Sequence, residues 1–521
     1  MKKLPLSITT FDKIRDPNEN YLYIDKTNIA FQLINSGTYY FLSRPRRFGK
    51  SLFIDTLRSI FQGEKKLFQG LAIEKQWDWD TSFPVINIDF NTGDFTSAGR
   101  IQDRIIQLLE INQKKLGLSC IKPDDIPHCF TQLIIEAYEK YQQKVTILVD
   151  EYDKPILDNI SDTNQAKKAR EILKIFYSVI KSNDRYIKFV FITGVSKFSK
   201  MNLFSGLNNL LDITTMSDYA TICGYTHDDV KTQFKEHLQG VDLDKMKTWY
   251  NGYNYNPECS ECSVYNPFDI LLFITNHHEY KNYWWETGNP SFLIEKLKEQ
   301  NYYIPGLENI IVSDEILNTF DIDNIDLIAL LWQTGYLTFD QKITKRDKLL
   351  YQLKVPNKEI QVSLNELFIK YLTNQTTEAI HHQAQLYDDI TEQPEKLKNS
   401  LSALFASIPY NNYANNIIAN YEGYYSSVVF TYFMTLGFPC IPEDVSNKGR
   451  IDLTIKLPNR TVILEFKVDS KETALAQIKQ KKYYEKYLDD NKEIIIIGIC
   501  FDSQEKNITE FQWERVKRVD G

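Results

Sequence analysis

Short, continuous apolar runs alternate with helix-spaced apolar positions through the first third of the chain. Tyr39-Tyr40-Phe41-Leu42 is the first run. Phe53, Leu57, Ile60 and Phe61 follow on one helical face, and Gly63 is placed to stop that helix. Three further runs, Phe83–Ile88, Val145–Val149 and Phe189–Ile192, are each short and rich in β-branched or aromatic residues. Such runs predict strands buried on both faces of a parallel sheet with helices between them, so residues 1–225 read as an α/β domain.

Beyond Tyr225 the strand signals stop. Thr226–Leu238 reads as a helix, with Thr226 as N-cap and Asp228 and Asp229 in its first turn. The aromatic stretch Trp249–Tyr255 and the later Tyr283-Trp284-Trp285 are expected to pack a helical lid region, 226–290, onto the N-terminal sheet rather than to form a base-stacking platform. Helices are expected from Ser291 to Leu372, interrupted by a strand pair at Gly335–Phe339 and Leu349–Leu353. That order resembles a winged helix, a shape used for DNA binding and for protein packing alike. Polar residues Thr373–Glu395 read as a linker, which closes a region 291–385. The last domain, 386–521, should begin with helices, pass through a hairpin and end on the buried strand Glu493–Gly498. No internal repeat or low-complexity tract interrupts this order.

Composition narrows the class. A chain of 521 residues is too long for one core, and roughly three or four domains are expected. The 43% hydrophobic and 25% charged content is that of ordinary globular protein, and no run approaches a membrane span. Polar Ser7–Thr10 and Asp12 interrupt any signal-like core behind Met1-Lys2-Lys3. The seven scattered cysteines argue against a disulfide framework, so a reducing cytoplasm is the expected location. A net charge of −8 argues against a surface broadly coated for nucleic acid, but not against a local basic groove. The run Lys479–Lys486 reads either as such a groove or as a solvated helix face.

Two segments carry phosphate chemistry. The first is Arg44-Pro45-Arg46-Arg47-Phe48-Gly49-Lys50-Ser51, set between a strand and a helix. Gly49, Lys50 and Ser51 match the end of a phosphate-binding loop: converging N–H groups, a lysine for the β/γ oxygens and a hydroxyl for Mg²⁺. Arg44, Arg46 and Arg47 add positive charge for the phosphates or are simply surface residues, and Arg44 stands where the usual first glycine would. About a hundred residues on, Val145–Val149 runs into Asp150 and Glu151, the arrangement in which one carboxylate holds Mg²⁺ and its neighbour activates water. Thr193, at the end of Phe189–Ile192, is either a sensor of the γ-phosphate or a strand-ending threonine.

The second segment is Gly449-Arg450-Ile451-Asp452, followed across a hairpin turn at Pro458-Asn459-Arg460 by Glu465-Phe466-Lys467. Alternation along the returning strand puts Ile463, Glu465 and Lys467 on one face. Two charges on so apolar a strand need a purpose, because buried charge without partners is expensive. With Asp452 opposite Glu465, the pair would chelate Mg²⁺ and Lys467 would position a water. Glu422, in a largely apolar helical stretch, is a third metal-site acid or an ordinary helix residue. Gln477 and Tyr483 lie on an expected helix that would touch a nucleic-acid backbone. The lone Cys259-Ser260-Glu261-Cys262 has only His277 and His278 nearby as further ligands, so no zinc site is expected there.

The segments Tyr23–Thr27, Ser43–Ser51, Leu203–Leu210 and Trp249–Tyr253 resemble the bacterial AAA-ATPase-like proteins. Gly449–Asp452, Glu465–Lys467 and Ala474–Ile478 resemble the PD-(D/E)XK nuclease superfamily domain that such proteins carry at the C-terminus. The resemblance covers nearly the whole chain and is most specific at the Arg-Pro-Arg-Arg-Phe-Gly-Lys-Ser segment, where arginine in place of the first glycine is normal for the family. It implies a P-loop NTPase parallel sheet, a helical and winged-helix-like region, and a C-terminal α/β restriction-endonuclease-like domain. It also implies a metal site at Glu422, Asp452, Glu465 and Lys467, with Ile451 replacing the superfamily's proline. The implied activity is ATP binding and hydrolysis coupled to Mg²⁺-dependent cleavage of nucleic acid, DNA ahead of RNA. A nucleotide-controlled switch that binds nucleic acid or a protein partner without cutting is the alternative. No membrane partner is expected, and an oligomer is left open.

Overall fold

The computed structural model describes residues 1–197, 203, 207, 209–259, 262–284, 304, 307, 310–317, 321–322, 325–345, 348–373, 377–408, 422–470, 472–490 and 492–516. Residues 204–206 and 208 of the quoted Leu203–Leu210 segment, Trp285, and the helices expected at 291–303 lie outside these. The chain divides into two compact units, one of residues 1–292 and 311–360, the other of 293–310 and 361–521. Residues 226–292 thus fold with the N-terminal sheet, and 361–385 with the C-terminal one.

The first unit is built on five strands, β1 (Tyr39–Ser43), β2 (Val85–Asp89), β3 (Val145–Asp150), β4 (Ile187–Gly194) and β5 (Leu211–Asp212), in the spatial order β2-β3-β4-β1-β5. Every pairing is parallel. The apolar runs are buried along their length, β1 and β3 without exception, which is why they read as continuous rather than alternating. Helices return the chain between strands: α1 (Lys50–Phe61), α2 (Ala98–Leu116), α3 (Ile126–Tyr141) and α4 (Thr163–Ser182). Ser97, Asp125 and Asp162 cap the last three by accepting first-turn N–H groups. In such a sheet the C-terminal strand ends converge on one edge, where ligands bind.

After the sheet, β6 (Tyr225–Thr226) pairs with β7 (Val264–Tyr265), and helices α5 (His227–Gln233), α6 (Leu243–Tyr250) and α7 (Pro267–Thr275) surround them. The capping box expected at Thr226 forms with Asp229. The described part of the aromatic stretches is largely core: Tyr250, Tyr253, Tyr255, Tyr283 and Trp284 are buried, Tyr250 and Tyr283 together with Val230, Phe234, Met246, Tyr265 and Phe273. Strand β8 (Ile310–Ser313), helix α8 (Leu327–Thr334), β9 (Thr338–Lys345) and β10 (Lys348–Lys354) follow in the chain, the three strands forming a sheet in the order β8-β10-β9. The expected hairpin is therefore present, with its first strand displaced toward the turn. Helix α9 (Lys358–Thr373) follows.

The second unit corrects one expectation. The polar stretch read as a linker contains helix α10 (Thr377–Glu392), whose Leu386 and Ile390 are fully buried. Two apolar positions four apart suffice to dock a helix that looks polar by composition. Helices α11 (Leu397–Ser407) and α12 (Glu422–Thr435) lead into β11 (Cys440–Ser446), β12 (Gly449–Lys456), β13 (Arg460–Val468), helix α13 (Ala474–Lys481), β14 (Glu493–Asp502) and β15 (Asn507–Arg515). The five strands lie in chain order, with β13 and β14 parallel and the other pairs antiparallel.

Helix α13 lies flush on β14 at Gly498. A Cβ there would meet the backbone nitrogen of Leu475 at 2.1 Å. Gly498→Ala is therefore expected to force helix from strand, at a cost of about 1–3 kcal/mol. The measurement is amide exchange across Ile495–Ile499 in the full-length chain, and unchanged protection would show that the contact is slack.

Candidate nucleotide and metal sites

Strand β1 delivers the chain into the loop Arg44–Gly49, and Arg44 turns inward. Its side chain is fully buried. Its guanidinium donates to the carbonyls of Ser43 (2.9 Å), Thr214 (2.7 Å) and Tyr219 (3.3 Å) and lies 3.7 Å from the Tyr255 ring centre. Burial pulls its pKa below the usual arginine range, with Tyr255 opposing. Arg44 is thus neither a surface residue nor a phosphate ligand. It ties the loop entrance to the segments after β5. Phe48 is buried edge-on to Tyr253 at 4.8 Å, and Gly49 adopts the left-handed φ of 95° that turns the chain into α1.

Lys50, the first residue of α1, is buried, and its ammonium donates to the carbonyls of Arg44 and Pro45, each at 3.0 Å. Arg46 and Arg47 are exposed, Arg47 with its guanidinium 4.3 Å from the Phe268 ring centre. Across the sheet edge, Asp150 ends β3. Its carboxylate accepts from the Thr193 hydroxyl at 2.8 Å and from the Glu151 N–H at 3.1 Å. Glu151 follows in left-handed backbone at φ 49°. Burial pushes its carboxyl up, Lys50 draws it back, and Asp150 and Asp153 push it further.

These residues border a cavity of about 380 Å³ lined by Arg46, Arg47, Gly49, Lys50, Ser51 and Glu151. Two candidates stand back from it. Asp150 and Thr193 are buried behind the wall, and Thr193 acts on the Asp150 carboxylate rather than facing the cavity. Sequence reasoning missed the opposite wall, formed by Ile8 and Thr9 near the N-terminus and by Tyr225 and Phe268. It also missed Asp153, fully buried, which accepts from the N–H groups of Val195 and Ser196 and so clamps the end of β4 to the turn after β3. The visible signal was a third acid in Asp150-Glu151-Tyr152-Asp153.

In the second unit, the register Leu453–Leu464 brings Asp452 on β12 beside Glu465 on β13. Asp452 accepts from the Phe466 N–H at 2.8 Å, and its own N–H donates to Glu465 at 3.4 Å. The other Glu465 oxygen accepts from the Gln477 side chain. Lys467 Nζ stands 3.9 Å from a carboxylate oxygen of both Glu465 and Glu422, the first residue of α12. Burial raises the Asp452 and Glu465 carboxyls well above the usual range; Asp452 adds to the rise at Glu465, while Lys467 opposes both. Burial raises Glu422 too, against the pull of Lys467.

Glu443, unnoticed in the sequence, joins this group. It bulges from β11 at φ 51°, pairs with Arg450 and repels Asp452 and Glu422. Oxygen-only and over-charged, and buried at Glu465, this donor set has the chemistry of a hard divalent cation site. Its geometry is only half assembled. Among the described residues no three His, Cys, Asp or Glu side chains form a ready cage, because Glu422 meets Lys467 and Glu465 meets Gln477. Both residues expected to touch a nucleic-acid backbone are engaged elsewhere. Gln477 holds Glu465, and Tyr483 is buried in the core beside Gly449, where its hydroxyl leaves no room for a side chain.

Comparison with known proteins agrees with this division. The family described as predicted AAA-ATPase matches residues 5–204, and the PD-(D/E)XK nuclease superfamily matches residues 420–511. A protein of Azotobacter chroococcum mcd 1, described as an uncharacterized protein in the vnfD 5' region, is 43% identical over 515 residues, covering 98% of each chain.

The raised carboxyls set a pH dependence. A carboxyl whose native pKa lies above its unfolded value stabilises the fold below the ordinary carboxylate range and loses that contribution as pH rises through the native pKa. The metal-free protein should therefore lose stability in the second unit as pH rises from about 4, through about 6 for Asp452 and about 8 for Glu465. Glu465→Gln should flatten that loss. Parallel pH profiles of urea midpoint for wild type and variant would contradict the buried pair.

Proposed function

The chain belongs to the AAA-ATPase-like family and ends in a PD-(D/E)XK nuclease superfamily domain, and from that premise we propose that it binds and hydrolyses ATP and cleaves nucleic acid, DNA ahead of RNA, in a cytoplasmic setting. The observation that carries this reading is the basic cavity at the C-terminal edge of the parallel sheet, with Lys50 at a helix N-terminus and Glu151 facing it. A triphosphate is the ligand that three cations, a helix N-terminus and converging backbone N–H groups would favour together. Lys50 would exchange its two carbonyl acceptors for β/γ oxygens, and Arg46 and Arg47 would meet the remaining charge. Glu151, its carboxyl already raised by burial, suits acceptance of a proton from water near neutral pH.

Mg²⁺ would be held by Ser51, with Asp150 behind the cavity wall reaching it through a water, at the first site and by Asp452 and Glu465, with Glu422, at the second, supplying charge neutralisation to phosphate oxygens. At the second site Lys467 would orient the attacking water, and Gln477 would release Glu465. One observation favours a second reading, a switch that binds without cutting: Glu465 is engaged by Gln477 and faced by Lys467. No described helix is long and apolar enough to cross a membrane.

Lys50→Ala is expected to weaken ATP binding tenfold or more, through loss of a charge-assisted contact of about 1.5–3 kcal/mol. Glu151→Gln should keep ATP bound and stop its turnover. Calorimetric titration beside phosphate release separates the two, and wild-type affinity in the lysine variant would refute the loop assignment.

Asp452→Asn should abolish Mg²⁺-dependent cleavage of DNA by the full-length protein and blunt the thermal stabilisation that Mn²⁺ gives to wild type. Stabilisation without cleavage in wild type would favour the switch. Equal stabilisation of both proteins would remove the metal site.

A further inference from the structure

Cys259 and Cys262 are joined by a disulfide in the first unit, and both are only half-buried. The bridge joins two described segments, 253–259 and 262–264, whose backbones pair at Tyr253 and Val264 to form an aromatic ribbon. Tyr255, within that ribbon, is the ring on which Arg44 lies, and Phe48 packs edge-on to both Tyr253 and Tyr255. Arg44 in turn offers its carbonyl to Lys50. The Cys-x-x-Cys pair is thus linked through Tyr255 and Arg44 to the phosphate-loop lysine. The Thr338 hydroxyl fixes the ribbon at Asn254, donating to its carbonyl and accepting its N–H. Beyond Asn254, Asn256 hydrogen-bonds to residues 258 and 259, and one surface ion pair, Glu258–Lys342, reaches β9.

We propose that Cys259 and Cys262 are a reversible thiol–disulfide site that tunes the phosphate loop. In the oxidising direction two thiols give up two protons and two electrons to a small-molecule disulfide. The Cys259–Cys262 bond forms, and the oxidant's S–S bond breaks to give two thiols. A dithiol reductant reverses the exchange. A single bridge between two half-buried cysteines three residues apart is the kind of disulfide that exchanges rather than staples a fold. Opening it frees the turn beyond Asn254, loosens Tyr255 under Arg44 and so loosens the loop entrance.

The inference rests on the nucleotide reading for its consequence but not for its test. Full-length protein is prepared with oxidised glutathione or with dithiothreitol, the bridge is mapped by peptide mass spectrometry, and amide exchange is followed at residues 44–51. Reduction should speed exchange there by about threefold or more, and Cys259→Ser should match reduced wild type under both conditions. Cys262→Ser serves equally should the first variant fold poorly. Absence of the mapped bridge in oxidised protein, or equal exchange in both states, overturns the proposal. ATP titration of the same samples judges the nucleotide reading separately. Weaker binding on reduction supports both, whereas no binding in either state removes that reading and leaves the exchange result to decide the switch.

Discussion

A buried guanidinium held by three carbonyl oxygens and a tyrosine face governs the first site. Arg44 stands where the chain leaves β1, and a charge in that position costs several kcal/mol unless its surroundings are arranged for it. Ser43, Thr214, Tyr219 and Tyr255 are those surroundings. A carboxylate partner would have left a neutral pair with little pull on the loop. Carbonyl dipoles and a ring satisfy Arg44 while drawing together β1, the segment after β5 and the aromatic ribbon. The loop that results needs no first glycine, since its shape is set from inside by this anchor and by Lys50, which bonds two of its carbonyls.

The same cost of burying charge shapes the second site with opposite sign. Asp452, Glu465 and Glu422 present more negative charge than Lys467 neutralises, and burial raises all three carboxyls. Asp444, buried on the same sheet, shows the contrasting solution: it is fully engaged by Thr454, Tyr487 and Lys486 and holds structure together. Surplus charge at one acid group and balance at the other separate a candidate ligand site from a structural hub within a single unit.

Local spacing made much of this legible in the sequence. The continuous apolar strands, Gly49-Lys50-Ser51, the Asp150-Glu151 strand end and the Asp452/Glu465/Lys467 hairpin each depend on residues close together in the chain or on strand alternation. What stayed hidden depends on distant partners. The carbonyls that hold Arg44 lie 170 and 175 residues away, so the sequence could offer only surface or phosphate roles for it. Gln477 was placed on the right helix but aimed outward, because its acceptor, Glu465, belongs to a different element. Helix α10 passed for a linker on composition. Strand β15, with many exposed positions, lacked the apolar run that revealed β14.

One key side chain at each candidate site is already hydrogen-bonded within the protein. Lys50 donates to loop carbonyls, and Glu465 accepts from Gln477. Any ligand must therefore displace an existing hydrogen bond, and its net affinity is the free energy of the bond it forms less that of the bond it breaks. At the first site that difference favours phosphate, since carbonyl oxygens carry partial charge and phosphate oxygens carry full charge. At the second, releasing Gln477 leaves a buried carboxylate with less support, so the exchange is favourable only when a cation arrives to replace it. An arrangement of this kind suppresses adventitious binding while both sites wait. It also makes occupancy of each site depend on a specific charge rather than on shape alone.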